Sequence, residues 1–208
     1  ALKLSGEDRN GVNSDNYGRY SQTTHLGAGI VADTTTGRIG DMNLVGSTFA
    51  GGDTNGLTIS GNVNVESVVN SYENESKRTN KGFLSSDSRY VNAHEEENVA
   101  GNLQLNGARI EGNLTGIGSN IALGENTFVG GKVTTDSREL HNSYYEKNRS
   151  KGFTGGVSHG TISAGYGKSQ STYDEKSTVN AKSNLQVGNG SVLNRGAEIT
   201  ATNFEYGN

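Results

Sequence analysis

The chain has 208 residues with a formal net charge of −4, and 97 of the residues are glycine, asparagine, serine or threonine. It has no cysteine, which excludes disulfides, thiol nucleophiles and cysteine-based metal sites. The sequence pI near 5.6 and the absence of a lysine- and arginine-dominated block argue against a nucleic-acid-binding module. Only 41 residues are leucine, isoleucine, valine or phenylalanine, and no apolar run is long enough for a membrane-spanning helix. Poor helix formers dominate and no helical apolar stripe occurs, so we expect an all-β protein.

In chain order, the first recognisable strand motif begins at Met42. Met42 and Leu44 are two residues apart and therefore point to one face of a strand, a glycine turn follows, and Phe49 is expected to face inward again. The same spacing recurs from Leu103, Ile121 and Leu185. A unit of this kind predicts one coil of a β-solenoid, in which stacked coils place parallel strands about 4.8 Å apart.

The two best-matching copies fix the repeat length. Residues 102–112 align with residues 120–130 at an offset of 18 residues, and one inserted residue then aligns 114–115 with 133–134. The first, third and eighth positions are apolar in all four copies, and we predict that they form the solenoid core. These core residues are Met42, Leu44, Phe49, Leu103, Leu105, Ile110, Ile121, Leu123, Phe128, Leu185, Val187 and Val192.

Two charged stretches interrupt the coils. Residues 66–101 and 134–183 hold 23 of the 40 charged side chains. Each contains a polar run that ends in Lys-Gly-Phe, at 81–83 and at 151–153. We interpret both as long β-hairpins that project from the solenoid, with tips near Gly82 and within 152–167. The opening stretch from Tyr17 to Val31 is interpreted as the tail of a third such module.

Together, the Ser/Tyr-rich run ending in Lys-Gly-Phe and the Asn-Leu-Gln-Leu-x-Gly coil at 102–107 resemble the haemagglutinin repeats of filamentous haemagglutinin-like exoproteins. That family includes two-partner (type V) secreted adhesins and the stalks of contact-dependent growth-inhibition effectors. The resemblance implies a right-handed parallel β-helix, here one solenoid fragment over 1–208, without cofactor or catalysis. It also implies export through an outer-membrane transporter and display on the surface of a Gram-negative cell. The missing cysteine and proline suit threading as an unfolded chain and a continuous hydrogen-bond ladder.

Most tyrosines lie outside the coil motifs. A tyrosine ring can pack while its hydroxyl stays in water, so it serves recognition surfaces, but it serves cross-strand pairs equally well. We predict that the hairpins contact a receptor on a host or neighbouring cell. The candidate contact residues are Tyr72, Lys77, Arg78, Phe83, Tyr90, Tyr144, Tyr145, Lys147, Arg149, Phe153 and Tyr173.

Two patterns suggest metal binding, and each has a plainer interpretation. The run from His94 to Glu97 is the densest group of possible ligands, but neighbours on a strand alternate faces, so a solvated hairpin edge is the better interpretation. Residues 51–59 resemble one calcium-binding nonapeptide, yet such sites need consecutive copies, so a coil turn is expected. His25, His141 and His159 have no partner that the sequence places beside them.

The sequence therefore predicts a non-catalytic stalk segment that mediates adhesion or toxin delivery. One alternative is a β-helical polysaccharide-degrading enzyme, which would need residues such as Asp41, Asp53 or Arg109 to converge in one groove. A passive scaffold is the other alternative. Because the chain begins at Ala1 without a signal sequence, we expect it to be a piece of a longer protein.

Overall fold

The computed structural model describes residues 2–8 and 16–207, with side chains from residue 16 onward. These residues form an all-β protein with several sheets, most of them parallel. The described part contains no helix, and so none that is long and apolar enough to cross a membrane. In chain order the strands are β1 (Leu2–Asp8), β2 (Tyr17–Thr24), β3 (Gly29–Thr34), β4 (Gly37–Ile39), β5 (Met42–Val45), β6 (Thr48–Asp53), β7 (Leu57–Ile59), β8 (Val63–Glu66), β9 (Val68–Lys81), β10 (Ser85–Val99), β11 (Asn102–Leu105), β12 (Arg109–Ile110), β13 (Leu114–Ile117), β14 (Asn120–Leu123), β15 (Phe128–Val129), β16 (Val133–Asp136), β17 (Arg138–Ser158), β18 (Thr161–Ala181), β19 (Ser183–Val187), β20 (Val192–Leu193), β21 (Ala197–Ile199) and β22 (Thr202–Tyr206).

The chain passes through three parallel sheets in a fixed order. The first sheet is β3-β6-β11-β14-β19-β22, the second is β4-β7-β12-β15-β20, and the third is β5-β8-β13-β16-β21. One passage is a strand from each sheet in turn, and the described residues complete five passages before β22. Consecutive passages pair in register: Leu103 lies beside Ile121 in the first sheet and Leu114 beside Val133 in the third.

The inward side chains of the three sheets form one hydrophobic cluster. Alternation along each short strand directs every second residue inward, so a passage contributes only a few apolar side chains. Nine of the twelve residues expected in the core are buried there. They are Met42, Phe49, Leu103, Leu105, Ile110, Ile121, Leu123, Leu185 and Val187. Leu44 is half-buried and packs against the cluster.

Two of the predicted core positions are wrong. Val192 is 48% exposed, and Phe128 lies on the outer side of its strand with the Arg109 guanidinium 4.3 Å from its ring centroid. The inward residues are their neighbours Leu193 and Val129, which pair with each other. Ile110 follows Leu105 by five residues, whereas Val129 follows Leu123 by six. One extra corner residue reverses which side chain of the next strand faces inward.

The predicted equivalence of the Met42 copy with the other three is also wrong. Met42 lies in the third sheet beside Val63, whereas Phe49, the last residue of the same window, lies in the first sheet beside Leu103. The apolar-x-apolar pattern is common to both sheets, so it cannot distinguish them.

Buried hydroxyl groups satisfy the backbone where the chain turns from one sheet to the next. The Ser183 hydroxyl accepts a hydrogen bond from Ser119 N at 3.0 Å and donates one to Asp136 O at 2.6 Å. The Thr127 hydroxyl accepts from Gly107 N at 3.1 Å and donates to Gly124 O at 3.1 Å. Buried backbone groups at such turns need a partner, and these side chains provide it.

The fourth sheet is antiparallel and has the order β1-β2-β9-β10-β17-β18. The hairpins β9–β10 and β17–β18 each leave after a strand of the third sheet and return to a strand of the first. They lie side by side, since β10 pairs with β17 from Ser85 opposite Gly152 to His94 opposite Ser143. The opening stretch is divided: β2 pairs with β9, whereas β3 belongs to the first parallel sheet.

Candidate contact surface

The antiparallel sheet has two faces, which its register defines. Residues directly opposite each other across an antiparallel pair point to the same side. One row runs Tyr17, Lys77, Tyr90, Lys147 and Thr172, and we call its side the Tyr90 face. The next row includes Val91, Glu146 and Tyr173 and belongs to the opposite side, which we call the Tyr144 face.

The register divides the eleven predicted contact residues between these faces. On the Tyr90 face lie Lys77, Tyr90, Tyr145, Lys147, Arg149 and Phe153. On the Tyr144 face lie Tyr72, Arg78, Tyr144 and Tyr173. Phe83 is in the β9–β10 turn and is fully exposed. The eleven residues therefore do not form one surface, and a single partner reaches at most one face and the turn.

On the Tyr90 face, tyrosines are held by one another and by a carboxylate. Tyr90 and Tyr145 make an edge-to-face contact with ring centroids 5.9 Å apart. The hydroxyls of Tyr17 and Tyr90 both donate to Glu75 Oε1, at 3.1 and 3.0 Å. Burial, and then the hydrogen bond to Glu75, raise the pKa of Tyr90, so its hydroxyl remains a donor. Tyr90 and Tyr145 are half-buried and stabilise the sheet.

On the Tyr144 face, a second tyrosine pair packs beside an ion pair. Tyr144 and Tyr173 make an edge-to-face contact at 5.9 Å. Glu146 accepts from Arg89 Nε at 2.8 Å and from the Tyr144 hydroxyl at 3.0 Å. Hydrogen bonds from the Asn148 amide and the Tyr144 hydroxyl are the main causes that lower the pKa of Glu146. Of the predicted contact residues on this face, Tyr72, Arg78 and Tyr173 are exposed, whereas Tyr144 is half-buried.

Sequence reasoning missed a row of lysines on the Tyr90 face. Lys81, Lys151 and Lys168 are exposed and lie at one level, because Ser86 pairs with both Lys81 and Lys151 and Lys151 pairs with Lys168. Lys81 and Lys151 belong to the two Lys-Gly-Phe triplets, and these triplets are the part of the sequence from which the row could have been predicted. Only strand pairing shows that the triplets are adjacent.

The predicted hairpin edge is wrong for His94, which pairs with both β9 and β17, whereas residues 95–97 pair only with β9 among the described strands. The run from His94 to Glu97 lies in β10, which is an inner strand between β9 and β17. His94 Nε2 is 3.1 Å from Glu96 Oε1, and the His141 backbone N–H donates to Glu96 Oε2 at 3.1 Å. Among the described residues no group of three or more histidine, aspartate or glutamate side chains is arranged to hold a metal ion.

The remaining histidines make separate contacts. The His25 backbone N–H donates to Asn70 Oδ1 at 2.8 Å, His141 Nε2 lies 3.1 Å from Glu139 Oε1, and His159 is at the turn between β17 and β18 with a φ of 52°.

Residues 51–59 form the end of β6, a turn and β7. Asp53 Oδ1 accepts from Asn55 N at 3.0 Å and from Asn55 Nδ2 at 2.8 Å, and these bonds lower the pKa of Asp53. Asp41 lies next to β5, and its Oδ1 accepts a hydrogen bond from Asn62 N at 2.7 Å. The Arg109 guanidinium packs over the Phe128 ring in the second sheet. Asp53 therefore ends a strand of the first sheet, Arg109 lies in the second sheet, and Asp41 lies in the corner before the third, and the three residues make separate contacts.

Comparison with known proteins gives no relative: no family model, curated protein or solved structure matches the chain.

Proposed function

We propose that this chain is a rod-forming segment of a secreted bacterial surface exoprotein, a right-handed parallel β-helix that acts through contact and not through catalysis. The observation that carries the proposal is the fivefold passage through the same three parallel sheets, in register. Each further passage of this kind lengthens a stack without needing a larger core. The resemblance of the repeats to those of filamentous haemagglutinin-like proteins supports the handedness and the secreted location.

The antiparallel sheet is the part that we assign to contact. Its strands β9, β10, β17 and β18 are inserted between passages, so their exposed side chains can be changed without disturbing the stack. Its strands reach 21 residues in β17 and β18, far longer than the strands of the passages. A receptor on a host or neighbouring cell is the proposed partner, and an outer-membrane transporter is the proposed partner during export.

Cell binding tests the assignment of contact to this sheet. We expect the fluorescently labelled chain to bind the receptor-bearing cells, and we expect the triple variant Tyr72→Ser/Arg78→Gln/Arg149→Gln to lose about tenfold in bound protein. These side chains are exposed, so the variant should fold. The matched control is Tyr206→Ser/Lys182→Gln/Arg195→Gln, whose exposed residues lie on or beside the parallel sheets.

Equal binding by the triple variant and the control would contradict contact through the antiparallel sheet. Turnover of an acidic polysaccharide that is abolished by Asp53→Asn would contradict the non-catalytic role and support the enzyme alternative.

A further inference from the structure

The β17–β18 hairpin extends beyond the rest of the antiparallel sheet. Register pairing between β10 and β17 ends at Gly152, with one further hydrogen bond from Phe153 N to Leu84 O at 3.0 Å. From Thr154 to Gly165, β17 and β18 pair only with each other among the described residues. We call residues 153–166 the tip ribbon. A two-stranded ribbon in water is marginally stable, so a surface that covers one side would stabilise it.

The tip ribbon is apolar on one side and polar on the other. Phe153 pairs with Tyr166 and Val157 with Ile162, all on the Tyr90 face, with only Gly155 and Ala164 between the two pairs. Their exposed fractions are 61% for Phe153, 55% for Tyr166, 75% for Val157 and 81% for Ile162. The other side carries Thr154, Gly156, Ser158, Thr161, Ser163 and Gly165. Such alternation gives a surface ribbon an uncovered hydrophobic face.

A row of positive charge borders the apolar face. Residues 152–167 contain no lysine, arginine, aspartate or glutamate. Directly behind them on the same face lies the row of Lys81, Lys151 and Lys168, followed by Arg149. From the row of Lys77 to the tip, this face has no carboxylate in the described residues, and its carboxylates begin at the level of Glu75.

We propose that the tip ribbon binds the surface of a lipid bilayer that is rich in anionic lipids. Apolar side chains ahead of lysines match the order of acyl chains and headgroup phosphates at such a surface. Phe153, Val157, Ile162 and Tyr166 enter the boundary between headgroups and acyl chains. Lys151 and Lys168 remain at the phosphates, where the negative surface potential favours them. This inference goes beyond the adhesive role: it shares Phe153 and Arg149 with the predicted contact residues, but vesicles that contain lipid alone test it separately.

Cosedimentation of the full chain with vesicles tests the inference. We expect binding to vesicles of equal parts phosphatidylglycerol and phosphatidylcholine, and much weaker binding to phosphatidylcholine alone. Lys151→Gln/Lys168→Gln should lower the partition coefficient by about fivefold for each lysine. Val157→Ser/Ile162→Ser should lower it by about tenfold or more. The control Val179→Ser/Lys182→Gln, at the base of the same hairpin, should stay within about twofold of the parent.

Tryptophan fluorescence locates the contact. The chain contains no tryptophan, so Tyr166→Trp is a single reporter on the apolar side and Thr161→Trp is its counterpart on the polar side. With anionic vesicles, we expect a blue shift and quenching by brominated lipids for Tyr166→Trp and little change for Thr161→Trp. Equal responses from the two reporters, equal binding to both vesicle types, or unaltered binding by both double variants would overturn the proposal.

Discussion

At the residue scale, the interior contains hydroxyl groups as well as apolar side chains. Thr54, Ser119, Thr127, Ser183 and Ser191 are buried at the corners, and each hydroxyl is in a hydrogen bond with the backbone. The composition therefore has a structural reason: part of the serine and threonine content lies inside the fold. Sequence patterning did not identify these residues, because a polar residue at a corner looks the same whether it points in or out.

Thr127→Val tests the contribution of one corner hydroxyl. Valine has nearly the same shape but leaves Gly107 N–H and Gly124 C=O without this partner. We expect the free energy of unfolding to fall by about 1–3 kcal/mol, because Gly107 N–H loses its acceptor, whereas Gly124 C=O keeps the hydrogen bond from Ser191 Oγ. Urea denaturation measures it, with the exposed Thr172→Val as control. Equal stability of the two variants would show that the corner hydroxyl contributes nothing.

Glu96 gives a pH dependence at the same scale. Burial raises the pKa of its carboxyl group, but hydrogen bonds from His94 and from His141 N–H outweigh burial, so the folded-state pKa is lowered. A lowered pKa stabilises the fold above the ordinary glutamate pKa of about 4.3, and this stabilisation is lost as the pH falls through the folded-state value. The stability difference between the parent and Glu96→Gln should therefore shrink between about pH 5 and pH 3. A difference that stays constant in urea titrations over this range would contradict the assignment.

At the scale of elements, the corner between the second and third sheets requires glycine at positions 112 and 131. Gly112 N donates to Gly61 O at 3.1 Å, and Gly131 N donates to Gly112 O at 2.9 Å. A Cβ atom on Gly131 would lie 2.4 Å from Gly112 O and one on Gly112 would lie 2.3 Å from Gly61 O. At these glycines the backbones of stacked passages are in direct contact, so there is no space for a side chain.

Gly131→Ala is expected to destabilise the protein by about 2–3 kcal/mol, because the backbone of two passages must separate. Gly40→Ala is the matched control: Gly40 O accepts from Gly61 N at 3.1 Å in the same ladder, but a Cβ on Gly40 would meet nothing within 4 Å. We expect the control to remain within about 0.5 kcal/mol of the parent in thermal and urea unfolding. A similar loss for both variants would mean that close backbone approach is not the cause.

Prediction from sequence succeeded where the signal was local and failed where it depended on neighbouring strands. The offset of 18 residues placed Leu103 beside Ile121, because alternation along a short strand is readable in the chain. Val192 was misplaced because corner length decides which face comes next. Tyr90 and Tyr144 could not be assigned to opposite faces, since that follows from the pairing of β10 with β17.

At the scale of the whole molecule, the chain extends two kinds of sheet, the three parallel sheets and the antiparallel sheet. Each passage adds one strand to each parallel sheet, and the hairpins add pairs of strands to the antiparallel sheet. An amide ladder follows the first sheet, where Asn184 Nδ2 donates to Asn120 Oδ1 at 2.6 Å and Asn203 Nδ2 donates to Asn184 Oδ1 at 2.9 Å. In the proposed rod, backbone hydrogen bonds and the asparagine ladder therefore run in the same direction, from one passage to the next. The antiparallel sheet is the part that we assign to contact.

Distances between spin labels along the first sheet test the stacked passages most directly. Val31, Ala50, Gln104, Ala122, Gln186 and Glu205 occupy one row across its six strands. The chain has no cysteine, so Val31→Cys/Gln186→Cys and Val31→Cys/Glu205→Cys give single label pairs for double electron–electron resonance. Strand spacing predicts mean separations of about 19 Å and about 24 Å. Two narrow distributions that differ by one strand spacing are the expected result. Equal separations, or a Glu205 pair shorter than the Gln186 pair, would contradict the stack.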